Sequence, residues 1–242
     1  MAQLVPQQER LSRLFARGGV VKVCGLREPA HAAAAAVAGA DLIGFIFAPA
    51  RRQVTPAAAR TCIHAARSAA PERTVLAVGV FVDAPLSEMT RIVEEAGIDA
   101  LQLHGDEPPE ALQNLAVPAV KAIRPRPGTD AARVAADINR YRWGASPPIG
   151  ILVDGYTEEV SGGSGERADW RLARELGASF PILLAGGLDS ENVGAAIREV
   201  RPLGVDVSSG VEIDGVKAVT RIEEFIHAAR QAFQHSPDRG CG

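Results

Sequence analysis

The sequence predicts an α/β chain folded as a single (β/α)8 TIM barrel with a short N-terminal helical extension. Three observations carry this expectation. Short apolar, β-branched runs recur eight times along the 242 residues. Each is followed by a stretch with helical spacing, the pattern of right-handed βαβ crossovers and a parallel sheet covered by helices. The strands start about every 20–35 residues, one βα unit each, and eight such units fill about 220 residues, the arithmetic of a barrel. An open doubly wound sheet would carry a GxGxxG or GxxxxGKS turn after its first strand, where this chain has Cys24-Gly25-Leu26-Arg27.

Residues 1–18 read as an amphipathic helix with Leu11, Leu14 and Phe15 on one side, and they lack the apolar centre of a secretory signal. Strand one is VVKVCG (20–25), and its alanine-rich helix stops at Gly39. Strand two is DLIGFIF (41–47); Thr55-Pro56 supplies a cap and a first-turn proline for a helix that carries Cys62 as a core thiol. Strand three, TVLAVGVFV (74–82), leads to a helix ending at Gly97. Strand four is IDALQLH (98–104), after which Asp106-Glu107 is expected to start a fourth helix, where carboxylates suit the dipole. Strands five, PAVKAIR (118–124), and six, IGILVDG (149–155), follow, with a helix stop at Gly177. Strand seven, PILLAGG (181–187), precedes an N-cap at Asp189-Ser190, and strand eight is LGVDVSSG (203–210). No Pro/Ser-rich linker interrupts the pattern. The expected organisation is an extension over 1–18, one barrel domain over 19–235 and a polar tail over 236–242 that carries a free Cys241.

At 47% hydrophobic and 23% charged residues, the composition excludes a disordered chain, and 24 Gly with 16 Pro is too few for a low-complexity one. With 26 Lys plus Arg against 29 Asp plus Glu, the net charge is −3, so there is no basic field for nucleic acid or an anionic membrane. No apolar run reaches the roughly 20 residues that span a bilayer. Three cysteines without CxxC or zinc-knuckle spacing point to a reducing cytoplasm and to no metal site.

Chemistry in such a barrel sits where strands end, because the βα loops converge on one mouth. The strand ends give Cys24, Arg52, Asp83, His104, Arg124, Asp154, Gly186-Gly187 and Ser208-Ser209-Gly210. Cys24 and Asp154 end strands one and six, on opposite sides of the mouth, which suits a base and an acid acting on different atoms of one small ligand. Glycines let backbone amides approach a ligand and small hydroxyls add donors, so Gly186, Gly187, Ser208, Ser209 and Gly210 form a candidate phosphate cradle. By strand alternation Lys22 shares parity with Cys24, and Asp206 with Ser208. A Lys22–Asp206 ion pair beneath the mouth is therefore expected, one that biases Cys24 toward thiolate. His104, and Gln102 with the same parity, either fill the mouth or touch the substrate.

The segments VKVCGL (21–26), LQLHGDE (101–107), LAGGLDSENV (184–193) and GVDVSSGVE (204–212) resemble the signature segments of the phosphoribosylanthranilate isomerase family of tryptophan biosynthesis. GFIFAPARRQV (44–54) and SGGSGERADW (161–170) are looser versions of two more, and the likeness spans residue 21 to about 230 in the family's order. The resemblance implies an Amadori rearrangement of a small anionic phosphosugar without metal or organic cofactor. It implies Cys24 as general base, Asp154 as general acid and Arg52 as the partner of the anthranilate carboxylate, for which a planar guanidinium fork is suited. No nucleic-acid or membrane partner is expected from the charge and the apolar runs, and the chain is expected to be a monomer or a homodimer. The chain departs from the family at Arg27, at Tyr156, at Glu166-Arg167 and in a loop after strand two that is one residue short. Two rivals remain. The histidine-pathway sugar isomerases resemble this family in fold but place an aspartate where Cys24 stands. The other rival is a catalytically silent phosphate-binding barrel.

Overall fold

The computed structural model describes residues 4–142, 146–155 and 168–235. Eight parallel strands, β1 (Val20–Val23), β2 (Leu42–Ile46), β3 (Leu76–Phe81), β4 (Ala100–Leu103), β5 (Ala119–Ile123), β6 (Gly150–Val153), β7 (Ile182–Leu184) and β8 (Gly204–Val207), pair in sequence order. β1 closes the barrel on β8 with Lys22 opposite Asp206. Each strand lies inside the run that predicts it.

Side chains alternate along each strand, and this splits the core in two. Leu42, Leu76, Val78, Ala100, Val120, Leu152 and Leu183 fill the barrel interior. Val21, Val23, Ile43, Phe45, Ala77, Leu101 and Val205 face the helices. The outer layer consists of α2 (Pro29–Ala38), α3 (Pro56–Ala69), α4 (Leu86–Ala96), α5 (Ala131–Arg142), α6 (Trp170–Gly177), α7 (Val193–Val200) and α8 (Val219–Gln234).

The caps are mostly as expected. Thr55 Oγ1 accepts from the Ala58 amide at 3.2 Å ahead of Pro56, and Gly39 and Gly97 end their helices in the left-handed region at φ 110° and 75°. Two differ. Gly177 is the last residue of α6, which runs out into a right-handed Ala178 and needs no left-handed stop. The Asp189 carboxylate accepts from the amides of Glu191 and Asn192, so it orders the turn before α7, whose flanking residue is Asn192.

The expected fourth helix is absent. Between β4 and β5 lies only a 3-10 turn, Pro109–Leu112. Pro108 and Pro109 remove two backbone donors, and Pro118 closes the segment before an α-helix could complete several turns. The acidic pair does different work. Glu107 is buried and accepts from Lys121 Nζ at 2.8 Å and from the Asp83 and Gly105 amides, each at 3.0 Å. Lys121 also donates to the Gly105 carbonyl at 2.7 Å, and the Tyr141 hydroxyl donates to the Glu107 carbonyl at 2.8 Å. A buried ion pair thus ties down the loop where a helix would otherwise pack.

The N-terminal helix α1 (Leu4–Arg17) covers the barrel's N-terminal end. Leu11 and Phe15 are buried in the interior cluster with Val20, Leu42 and Leu203, and Leu14 packs against it. Burying an apolar side chain of this size contributes about 1.5–3 kcal/mol. Asp41 anchors the helix end, accepting from Arg17 at 2.8 Å, Arg230 at 2.6 Å and the Val21 amide at 2.9 Å. The tail with Cys241, and Tyr156, Glu166 and Arg167 of loop six, lie outside the described residues.

Candidate active site

Moving up the strands, the inward positions change from apolar to polar. β1 runs Val20, Lys22, Cys24; β4 runs Ala100, Gln102, His104; β6 ends Leu152, Asp154; β8 runs Gly204, Asp206, Ser208. Lys22 Nζ lies 2.7 Å from Asp206 Oδ2, with both side chains buried, so the ion pair expected from parity is present. Burial works to lower the Lys22 pKa, but the charges of Asp206 and Cys24 outweigh it and the ammonium is held above its ordinary value.

The pair does not make Cys24 a thiolate by itself. Burial pushes the thiol up, and the pull of Lys22 does not overcome it while Asp206 adds to the rise. The bias expected from this pair is there in direction, since the Lys22 charge and hydrogen bond pull the thiol down, but burial outweighs it. The sulfur has its space because β2 carries Gly44 beside it; a Cβ there would sit 2.7 Å from Cys24 Sγ. Cys62, in contrast, is buried on α3, its thiol raised to about 11, an unreactive core residue as expected.

On the far side, Gln102 Nε2 lies 2.9 Å from His104 Nδ1, and His104 Nε2 lies 3.4 Å from Asp154 Oδ2. With Nδ1 taken up by Gln102, the ring nitrogen turned toward the Asp154 carboxylate is Nε2. Asp154 Oδ1 accepts from the Gly155 amide at 2.8 Å. Gln102, His104 and Asp154 therefore form one group.

The loops after β7 and β8 meet. Gly186 and Gly187 have φ 86° and 61°. A Cβ on Gly186 would lie 2.4 Å from the Gly155 nitrogen, and one on Gly210 would lie 1.9 Å from the Leu188 carbonyl oxygen. Only glycine permits these approaches. Ser208 Oγ donates to the Cys24 carbonyl at 3.2 Å, and Ser209 opens a 3-10 turn, Ser209–Val211. Of the remaining strand-end residues, Asp83 takes a left-handed φ of 49° and accepts from the Asp106 amide at 2.8 Å, so it holds the loop after β4. Arg124 follows β5, half-buried.

Arg52 is buried, with its fork on Glu212: Nε to Oε1 at 2.5 Å and Nη2 to Oε2 at 2.9 Å. Glu212 opens a hairpin, β9 (Glu212–Ile213) and β10 (Val216–Lys217), turned by Asp214-Gly215 with both φ positive. Its carboxylate also meets Arg51 at 2.7 Å and Lys217 at 3.1 Å. Burial alone would raise the Glu212 pKa, but these cations bring it down to about 2. Lys217 is brought down to about 8 by burial, against the pull of Glu212. Neither Glu212 nor Lys217 stood out as a site residue in the sequence; the Asp-Gly turn between alternating residues was the signal for the hairpin. Among the described residues no three His, Cys, Asp or Glu side chains gather as a metal site.

A barrel whose mouth sets a buried thiol opposite a carboxylate, with a glycine-lined cradle between them, has the constitution of an acid–base enzyme for a small anionic ligand. The family model described as N-(5'phosphoribosyl)anthranilate (PRA) isomerase matches residues 21–228, and the chain belongs to that family. It is 44% identical over 229 residues to the N-(5'-phosphoribosyl)anthranilate isomerase of Symbiobacterium thermophilum, covering 87% of this chain and 97% of the relative. A structure of monomers generated by mutation from the dimeric phosphoribosylanthranilate isomerase of Thermotoga maritima superposes with a TM-score of 0.71 at 32% identity, over 88% of this chain and 98% of the other. A phosphoribosyl anthranilate isomerase in complex with reduced 1-(o-carboxyphenylamino)-1-deoxyribulose 5-phosphate gives 0.70 at 31%, with the same coverage of each chain. Among the described residues no helix is long and apolar enough to cross a membrane.

Proposed function

We propose that this chain, an isomerase of tryptophan biosynthesis, converts N-(5′-phosphoribosyl)anthranilate into 1-(2-carboxyphenylamino)-1-deoxyribulose 5-phosphate with Cys24 as general base and Asp154 as general acid. The observation that carries the assignment is the placing of those two groups at the ends of β1 and β6, facing one mouth across the cradle of β7 and β8. Asp154 gives its proton to the furanose ring oxygen; the bond from that oxygen to C1′ breaks and the nitrogen lone pair forms the Schiff base. Cys24 as thiolate takes the C2′ proton. The electrons left behind make the C1′=C2′ bond of an enolamine and return the lone pair to nitrogen. A proton then passes from the 2′-hydroxyl to C1′, and the ketone results.

The amides of Gly186, Gly187 and Gly210, with the hydroxyls of Ser208 and Ser209, hold the phosphate as fixed dipoles, so a chain of net charge −3 can still bind a dianion. Arg52 takes the anthranilate carboxylate with the nitrogen that Glu212 leaves, and Gln102 and His104 line the substrate beside Asp154. As a monomer or a homodimer, one barrel domain over 19–235 supplies the whole site, and unpaired Cys24 and Cys62 suit a reducing cytoplasm.

The test is the decay of phosphoribosylanthranilate fluorescence with wild type, Cys24→Ala and Asp154→Asn. Losing a general acid or base typically removes ~10²–10⁴-fold of the rate. Undiminished turnover in Cys24→Ala would remove the base assignment. No decay with wild type would favour a silent barrel, and turnover of the histidine-pathway aminoaldose instead would favour that rival.

A further inference from the structure

Arg52 is held as few arginines outside a core are. Its side chain is 7% exposed, and that of Glu212 facing it is 6% exposed. The two meet along one edge of the guanidinium, Nε on Oε1 at 2.5 Å and Nη2 on Oε2 at 2.9 Å. A guanidinium has N–H groups to spare beyond such an edge. Nη1 and the second N–H of Nη2 remain as a parallel fork, the geometry that grips one further carboxylate.

The stem of Arg52 fixes where that fork lies. Gly25, directly after Cys24, has φ 75°, and a Cβ on it would sit 2.7 Å from Arg52 Cδ and 3.2 Å from Ser208 Oγ. The arginine therefore crosses the ends of β1 and β8 at the rim of the mouth, over space that a glycine leaves. Glu212 opens the hairpin of β9 and β10, and Arg51 pins that hairpin from outside, meeting Glu212 at 2.7 Å and donating to the Gly215 carbonyl. Lys217 reaches the same carboxylate at 3.1 Å. Arg51, Arg52 and Lys217 thus converge on a single anion. Without it they repel one another, and a buried guanidinium that has lost its counter-charge turns toward water.

We propose that Glu212 is the positioning residue for Arg52: it occupies one edge of the guanidinium so that the other edge is presented to the carboxylate on the substrate's aromatic ring. Selectivity for that carboxylate then depends on the hairpin as much as on the arginine. The inference rests on Arg52 receiving the anthranilate carboxylate, and its test is chosen to fail separately from that assignment.

The measurement is calorimetric binding of two stable ligands, reduced 1-(o-carboxyphenylamino)-1-deoxyribulose 5-phosphate and the same compound without its carboxylate. In Glu212→Gln the Kd of the carboxylated ligand is expected to rise about tenfold, the scale of one hydrogen bond to a charged group. The Kd of the other ligand, held by the phosphate cradle, is expected to stay. Glu212→Asp, which keeps the charge, is expected to recover most of the lost selectivity. In Glu212→Gln KM for phosphoribosylanthranilate is expected to rise with the Kd, and kcat to change less.

A selectivity kept in Glu212→Gln but lost in Arg52→Ala overturns the proposal alone. Equal weakening of both ligands in Glu212→Gln leaves Glu212 a merely structural role and overturns it too. Tighter binding of the carboxylated ligand makes Glu212 a competitor for the fork, with the same consequence. A selectivity kept in Arg52→Ala removes the arginine as the carboxylate's partner and the proposal with it. Should Glu212→Gln not fold, wild type decides. The Arg52 Nε–H resonance, identified by its loss in Arg52→Ala, is expected to hold its position when the carboxylated ligand saturates the protein, because Glu212 keeps that edge. Its displacement to the position of a free guanidinium overturns the proposal.

Discussion

At the N-terminal end of the barrel, Val20, Leu42 and Leu203 meet Leu11 and Phe15 of the N-terminal helix in an apolar seal; at the other end, strands of the same sheet finish in Cys24, His104, Asp154 and Ser208. Two inward steps along β1 are enough to pass from Val20 to Cys24, with the Lys22–Asp206 pair as the dividing layer. Below that layer, side chains are held by dispersion and exclusion of water, and nothing there needs a particular protonation state. Above it, every inward group on these strands is polar and its state depends on its neighbours. The difference teaches that stability and chemistry are carried by opposite ends of the same strands, and single substitutions should separate them.

The largest separation is expected at the mouth. Cys24→Ala and Asp154→Asn should each lower kcat by ~10²–10⁴-fold while the urea midpoint of unfolding changes little, because neither side chain seals the core. A large loss of stability in either would break the division. The converse is expected at the seal: Phe15→Ala should cost about 3–5 kcal/mol in urea denaturation, the usual penalty for emptying a buried phenylalanine site, with KM unchanged. A raised KM there would show that the two ends communicate.

A smaller effect sharpens the comparison by pH. Glu212 has its folded pKa at about 2, below the ordinary glutamate value near 4.3. Its contribution to stability is therefore complete above about pH 4.3 and is lost as pH falls toward 2. Urea titrations at stepped pH should show that loss in wild type and a shallower one in Glu212→Gln, whereas Phe15→Ala should shift all points equally. The smallest effect belongs to neither end. Thr55→Ala removes one cap from α3 and should cost about 1 kcal/mol without touching turnover.

Much of this division is legible in the sequence because it follows local rules. Period-two alternation places Lys22 with Cys24 and Asp206 with Ser208, and barrel closure then makes the pair. The strand-end shortlist reaches Cys24, Arg52, His104, Asp154 and the two loops because a parallel barrel has only one mouth. What escapes depends on distant segments. Asp106-Glu107 reads as a helix start, yet Pro108 and Pro109 forbid the helix and Glu107 finds Lys121 across the loop. Arg52 reads as a free fork, yet Glu212, 160 residues further on, takes two of its nitrogens. The direction of the Cys24 shift is equally nonlocal: it is set first by burial beneath the surrounding barrel, which outweighs the pull of Lys22.

Gly44 shows how a residue with nothing to offer the substrate can still govern it. It donates no charge, lends no hydrogen bond from a side chain and would appear in no inventory of reactive groups. A single added methyl would nonetheless land 2.7 Å from the Cys24 sulfur, inside van der Waals contact. The thiol therefore occupies a recess defined by a missing atom on the neighbouring strand. The freedom of the thiol to approach a substrate carbon is written in β2, one strand away from the residue that carries it.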